Sequence, residues 1–240
     1  MCRLLVDIGN TNVACAWMNE GLELLGVLST GAGLLDSLPG MPAEVWVASV
    51  ADVVHTARLL GPLHEAGIPV VEVRVLDHAG FLETRYHPAQ LGVDRWLGLL
   101  ACRARGRYPA VVVDVGTATT VDLLDSEGIH QGGYILPGLD MMRSALLAGT
   151  AIRMYEAPIV CAGDTLPVDT MGAIHCGAIQ VQVALIEKLS ASQPPGGWVV
   201  LGGGMASMIA AHLRCRRETM EHMVLHGLAV LAKGGGACVG

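Results

Sequence analysis

The chain has 240 residues, of which 52% are apolar and 15% charged, with a net charge of −7. That balance supports a sizeable buried core and excludes a disordered chain. No apolar run reaches the ~18–20 residues that a bilayer-spanning helix needs, so no membrane segment is expected.

The first element is the run from residue 3 to residue 17, RLLVDIGNTNVACAW. Two β-prone stretches flank a polar turn, which predicts a hairpin. AEVWVASV (43–50) reads as a buried strand, ADVVHTARLLGPLHEAG (51–67) as a helix closing at Gly67, and PVVEVRV (69–75) as another strand. DRWLGLLACRAR (94–105) has helical spacing. AVVVDVGTATTVDLL (110–124) then repeats the opening pattern of strand, Asp-x-Gly turn with threonine, and strand. GLDMMRSALLAG (138–149) and residues 170–190 read as helices, the latter with an apolar stripe at i, i+3 and i+4. SQPPGG (192–197) is a loop, and GGWVVLGGG (196–204) a strand running into a glycine turn.

Alternating strands and helices imply an α/β fold. The paired hairpins, each opening one half of the chain, imply an internal duplication into two lobes. These are expected at residues 1–108 and 109–240, each with a mixed sheet flanked by helices.

In Asp7-Ile8-Gly9-Asn10-Thr11-Asn12, glycine lets the backbone approach a phosphate. Turn amides with Asn and Thr side chains supply donors for phosphate oxygens, and a strand-end aspartate can hold magnesium through water. Alone, the same turn reads equally as an Asx-type hairpin without ligand. The second turn, Asp114-Val-Gly-Thr117-Ala-Thr-Thr120, shifts the balance toward a two-turn clamp on a nucleotide triphosphate. No Gly-x4-Gly-Lys-Ser/Thr loop occurs, and neither Gly31-Ala32-Gly33 nor Gly202-Gly203-Gly204 completes Gly-x-Gly-x-x-Gly. The 202–204 turn reads as a plain strand-to-helix connection.

Gly92-Val93-Asp94-Arg95 precedes an apolar helical run. From spacing alone this is an N-cap aspartate with a solvated arginine. A carboxylate base beside an anion-binding guanidinium is the functional alternative. His222 and His226 sit at i, i+4 without a third ligand at metal spacing, which favours a packed or surface pair.

Seven scattered cysteines, none in Cys-x-x-Cys, read as reduced, mostly buried thiols of a cytosolic protein. A motif-like turn at residue 7 leaves no room for a signal peptide, so a cytoplasmic location is expected. With two lysines and no basic run longer than Arg214–Arg217, no nucleic-acid partner is expected.

Taken together, DIGNTN, YHPAQLGVDRW, VVDVGTATTVDLL, GGYILPGLDMM and DTMGAIHCG resemble the type III pantothenate kinase family in their order along the chain. The resemblance implies an actin/hexokinase/Hsp70-like (ribonuclease H-like) fold and ATP-dependent phosphorylation of pantothenate, the first step to coenzyme A. It implies a homodimer, Mg²⁺, and potassium or ammonium as monovalent cation. It places Asp7, Ile8, Gly9, Asn10, Thr11, Asn12, Val13 and Ala14 around the ATP phosphates, with Asp7 near magnesium and Thr117 also on ATP. Asp94 is implied as general base. Tyr86, Gly92, Val93, Asp94, Arg95 and Thr170 are implied at the pantothenate site, and Asp114 at the monovalent cation. The chain departs from the family in carrying Asp169-Thr170 where Asn-Thr is common, and in a shorter stretch between Tyr86 and Gly92. Two alternatives stay open: a catalytically silent regulatory or transcription-accessory relative, and a kinase of the same fold acting on another small carboxylate.

Overall fold

A computed structural model describes residues 2–19, 22–29, 38, 40–153, 161 and 165–234. The Gly31-Ala32-Gly33 segment and Cys238 lie outside these residues. The chain forms two compact units, Met1–Gly106 with His222–Gly240, and Arg107–Glu221.

In the first unit, β1 (Arg3–Ile8) is the central strand and turns at Gly9 into β2 (Asn12–Met18), which pairs onward with β3 (Leu22–Ser29). Both pairings are antiparallel. On the other side of β1, β4 (Glu44–Ser49) and then β5 (Val70–Glu72) run parallel to it. Parallel neighbours need a long crossover, and between β4 and β5 this is α1 (Val53–Glu65). Asp52 caps α1, its Oδ1 accepting from the His55 amide at 2.9 Å. Leu59, Leu60 and Leu63 of α1 pack on Leu4, Val6, Ile8, Val45 and Val47. The run anticipated as a strand over 69–75 yields only β5, because the backbone passes into 3-10 turns from Val75 to Phe81. A second 3-10 turn, Pro88–Gln90, leads to α2 (Val93–Ala104).

The second unit repeats this plan. Its central strand β6 (Ala110–Val115) turns into β7 (Ala118–Leu124), which pairs with β8 (His130–Pro137), all antiparallel. On its other side β9 (Trp198–Gly202) and β10 (Arg217–Thr219) are parallel to β6. The spatial orders, β3-β2-β1-β4-β5 and β8-β7-β6-β9-β10, superpose term by term. The short repeat of two Asp-x-Gly hairpins is therefore the visible part of a duplication of the whole sheet. Between β8 and β9 lie α3 (Leu139–Gly149) and α4 (Thr170–Ser192), and α5 (Ala206–Ala210) follows β9. Ile179, Val183 and Ile186 of α4 cover Val111, Val113, Val121 and Val199 of the sheet.

The division differs from the expected 1–108 and 109–240 in one element. The last helix, α6 (Met223–Gly234), belongs to the first unit, where it packs on α2. Gly227 lies so close to the Leu97 carbonyl that a Cβ would overlap the backbone, and Arg3 Nη1 donates to Ala232 O at 2.6 Å.

The cysteines also depart from the uniformly reduced state expected of them. Cys161 and Cys176 form a disulfide, with Cα atoms 5.6 Å apart, inside bridging range. They lie 15 positions apart along the chain, and their meeting depends on the chain returning onto α4. Cys2, Cys15, Cys102 and Cys215 remain thiols. Among the described residues no helix is long and apolar enough to cross a membrane.

Candidate active site

In the first unit the polar turn is tight. Gly9 N donates to Asn12 O at 3.0 Å, and a Cβ on Gly9 would sit 3.1 Å from that same oxygen. Asn10, Thr11 and Asn12 are exposed, whereas Ile8, Val13 and Ala14 bury their side chains in the sheet. Those three residues can therefore offer a ligand only their main chain. Asp7, half-buried, stands in register with Ala14 and Ala48. Burial pushes the neighbouring Cys15 thiol up to about 12, and the charge of Asp7 adds to the rise. Cys15 is thus held protonated beside the Asp7 carboxylate.

The start of α2 gathers a second group. The helix is capped by Gly92, whose carbonyl accepts from Trp96 N at 3.0 Å. Asp94 therefore sits inside the first turn rather than at the N-cap, and its Oδ1 accepts from the Arg95 amide at 2.7 Å. A Cβ on Gly92 would lie 2.6 Å from Asp94 Oδ1, so glycine is what leaves room for this carboxylate. Arg95 is not a solvated side chain: it is 7% exposed, and its guanidinium stands over the Tyr86 ring, 5.1 Å from the centroid. Asp94 and Tyr86 are half-buried. A reachable carboxylate beside a buried cation and an aromatic face can position an acidic small molecule and take a proton from it.

In the second unit the equivalent turn is closed by Gly116 N donating to Ala118 O at 3.0 Å. Asp114 is in register with Thr120 on one side and Gly202 on the other. Gly203 has φ +86, and the space of its missing Cβ holds an Asp114 carboxylate oxygen and the Val115 carbonyl. The 202–204 turn is therefore the backing of Asp114, a role that its glycines alone did not reveal. Thr117 is exposed, and its carbonyl accepts from Gly138 N at 3.0 Å. Gly138 is the other residue the sequence did not single out, since a Cβ there would strike the Gly116 and Thr117 carbonyls. Thr170 is exposed at the first position of α4, and Asp169 caps that helix, Oδ1 accepting from Gly172 N at 2.9 Å. Asp and Asn cap equally well, so the departure at this position costs the helix nothing.

Of the expected site residues, Tyr86, Gly92, Val93, Asp94 and Arg95 come together at the entry to α2, and Asp7–Ala14 follow β1 in the same unit. Asp114 and Thr117 share one turn of the second unit, and Thr170 starts α4 there. Among the described residues no cluster of three or more His, Cys, Asp or Glu is arranged as a metal site. A cation at Asp7 or Asp114 would have to complete its shell with water, backbone oxygens or ligand phosphate. The His222/His226 pair carries no metal geometry either. Arg105 Nη2 lies 3.1–3.2 Å from both ring nitrogens of His226.

The family model described as type III pantothenate kinase matches residues 3–192. The type III pantothenate kinase of Thiobacillus denitrificans is 34% identical over 247 aligned positions, 98% of each chain. This chain belongs to the type III pantothenate kinase family. Among solved structures, a conserved putative Baf family transcriptional activator from Campylobacter jejuni is similar at a TM-score of 0.67. It is 22% identical, and the match covers 97% of this chain and 98% of that one. A putative 2-dehydro-3-deoxygalactonokinase from Sinorhizobium meliloti is similar at a TM-score of 0.56, with 16% identity over 99% of this chain and all of the other. At these identities the likeness speaks to fold, and the fold is that of the actin/hexokinase/Hsp70 class. The two duplicated mixed sheets are its hallmark.

Proposed function

We propose that the chain transfers the terminal phosphoryl group of ATP to the hydroxyl of pantothenate, giving 4'-phosphopantothenate for coenzyme A synthesis. The observation that carries this reading is the family membership of a chain whose entry to α2 keeps Asp94, buried Arg95 and Tyr86 as one group. Asp94 is the general base. Its carboxylate, steadied by the Arg95 amide at Oδ1, accepts the hydroxyl proton. Arg95 pairs with the pantothenate carboxylate, Tyr86 and the backbone of Gly92 and Val93 shape that site, and Thr170 adds a hydroxyl.

Phosphoryl transfer is mostly positioning and charge neutralisation. The amides of Asp7–Ala14 and the side chains of Asn10, Thr11 and Asn12 hold the triphosphate, and Thr117 is a further ATP contact. Asp7 at its strand end fits a hydrated magnesium ion, and Asp114 with its backing carbonyls fits potassium or ammonium. Bound there, these ions offset phosphate charge that no P-loop lysine is present to meet.

The protein acts in the cytoplasm as a homodimer. Support for self-association comes from apolar side chains exposed on edge strand β8 and on the helices that follow it: Tyr134, Ile135, Met141, Leu146 and Val181. Apolar side chains at an unpaired sheet edge and on the helices after it suit a subunit contact. Light scattering should return twice the 25.1 kDa chain mass.

The kinase reading is tested by ADP release with pantothenate across a range of potassium and ammonium concentrations. Turnover in the wild type, its loss in Asp94→Asn and retained ATP binding in that variant are expected. A wild type with no turnover under any of these conditions would return the protein to the silent, regulatory reading.

A further inference from the structure

Gln182 lies on the face of α4 that packs on the second sheet, between Ala178, Ile179, Val183 and Ile186. It is 1% exposed. An amide buried in such a place costs free energy unless both of its ends are bonded. Both ends are. Oε1 accepts from the Thr119 hydroxyl at 3.1 Å, and Nε2 donates to Pro137 O at 3.3 Å. Thr119, wholly buried, is two residues beyond Thr117. Pro137 immediately precedes Gly138, whose amide donates to Thr117 O. Ala118 and Pro137 form the last pair of the β7–β8 ladder. One side chain of α4 thus ties together the two strand ends that carry and clamp the Gly116–Thr117 turn.

We infer that Gln182 is a positioning residue for the nucleotide and the monovalent cation. It fixes the Asp114–Thr120 turn against α4 through Thr119 and Pro137. A leucine or methionine would fill the same volume without burying an amide, so packing alone does not account for the residue. The inference rests on the reading that this turn serves ATP and the cation.

The test is steady-state kinetics of Gln182→Leu, Thr119→Val, Thr119→Ser and the Gln182→Leu/Thr119→Val double variant, each with a melting curve. Gln182→Leu should raise the KM for ATP and the half-saturating potassium concentration roughly five- to tenfold, the worth of one buried hydrogen bond. The KM for pantothenate should stay within about twofold. Thr119→Val removes the same bond from the strand side without altering α4 and should reproduce the effect, even if Gln182→Leu folds poorly. The double variant should be little worse than either single one, as expected of residues acting through one contact. Thr119→Ser, which keeps the hydroxyl, should restore both constants. Unchanged constants in Thr119→Val, a parallel rise in the pantothenate KM, or failure of serine to rescue would overturn the inference. Thr117→Ala and Asp114→Asn separate the two levels. If these variants alter ATP and potassium dependence but Thr119→Val does not, only the role of Gln182 falls. If they alter neither, the reading of the turn falls with it.

Discussion

Gly92→Ala isolates the position of the Asp94 carboxylate from everything else at the site. Gly92 has φ −58 and ψ 137, a region open to alanine, so the backbone is not strained. The only close neighbour of the added Cβ is the carboxylate itself, at 2.6 Å from Oδ1, with Asp94 Cγ at 3.8 Å and Arg95 Cδ at 4.0 Å. Ordinary contact begins near 3.4 Å, so Oδ1 must retreat by most of an ångström or the side chain must change rotamer. Either movement weakens the 2.7 Å bond from the Arg95 amide, worth about 1 kcal/mol. Alanine in place of glycine at the N-cap costs about 0.5–1 kcal/mol more, and the stiffer unfolded chain returns ~0.5 kcal/mol. Net stability should therefore fall by no more than about 1.5 kcal/mol. Misplacing a catalytic group by ~1 Å costs on the order of 10²-fold in rate. Coupled ADP-release kinetics should show kcat reduced by about that factor, with the KM for ATP unchanged and the melting temperature within a few degrees of wild type. A variant with wild-type kcat would refute the assignment of Asp94 as base, since the overlap leaves its carboxylate no way to stay in place.

Other outcomes follow from the same geometry. Gly203→Ala, at φ +86 and against the Asp114 carboxylate, should lose ~1–2 kcal/mol of stability and shift the potassium activation curve upward. An unaltered curve would detach Asp114 from the cation. Burial and the Arg105 cation hold His226 below the ordinary imidazole value, with His222 adding to the effect, and His175 is lowered in the same sense by burial and Arg143. The unfolded chain therefore takes up these protons first as pH falls through about 6.5. Stability is lost on acidification below that value, and urea midpoints at pH 7.0 and 5.5 should differ less in His226→Gln than in wild type. A larger or equal difference in the variant would contradict the histidine's role. Denatured but unreduced protein should present two fewer alkylatable thiols than reduced protein, with Cys161 and Cys176 in one linked peptide pair. Cys15, protonated up to about 12, should resist iodoacetamide in the native state at pH 8, and its rapid labelling there would count against the buried environment.

Much of this was legible because buried strands and amphipathic helices carry a periodic pattern. The two hairpins, β4, α1, α2 and α4 were visible in that way, and the repeat of Asp7 and Asp114 pointed to the duplication. β8 escaped because most of its residues are partly or fully exposed and two are glycines, and β10 is only three residues long. Arg95 was misjudged on spacing alone. A charge at a helix start is usually solvated, and only the tertiary fold shows that Tyr86 and the core enclose this one. Gly203 looked like a turn glycine and Gly138 like the start of a helix, and their value lies in what stands where a Cβ would be. His222 and His226 have helical spacing, but only His226 lies on α6, since His222 precedes it at φ 51; the helix's partner was not apparent, because the contact is set by Gly227 meeting the Leu97 backbone.

That last contact has a consequence for biosynthesis. The second unit is one uninterrupted stretch of chain, 107–221, while the first is split around it. On a ribosome the second unit is complete before the first can close. During that interval Leu97, Gly98 and their neighbours on α2 await a helix still in the exit tunnel, and Arg3 waits for a carbonyl 229 positions downstream. A stop codon between residues 204 and 222 would spare every candidate site residue and still leave the phosphate turn on a sheet deprived of its final helix.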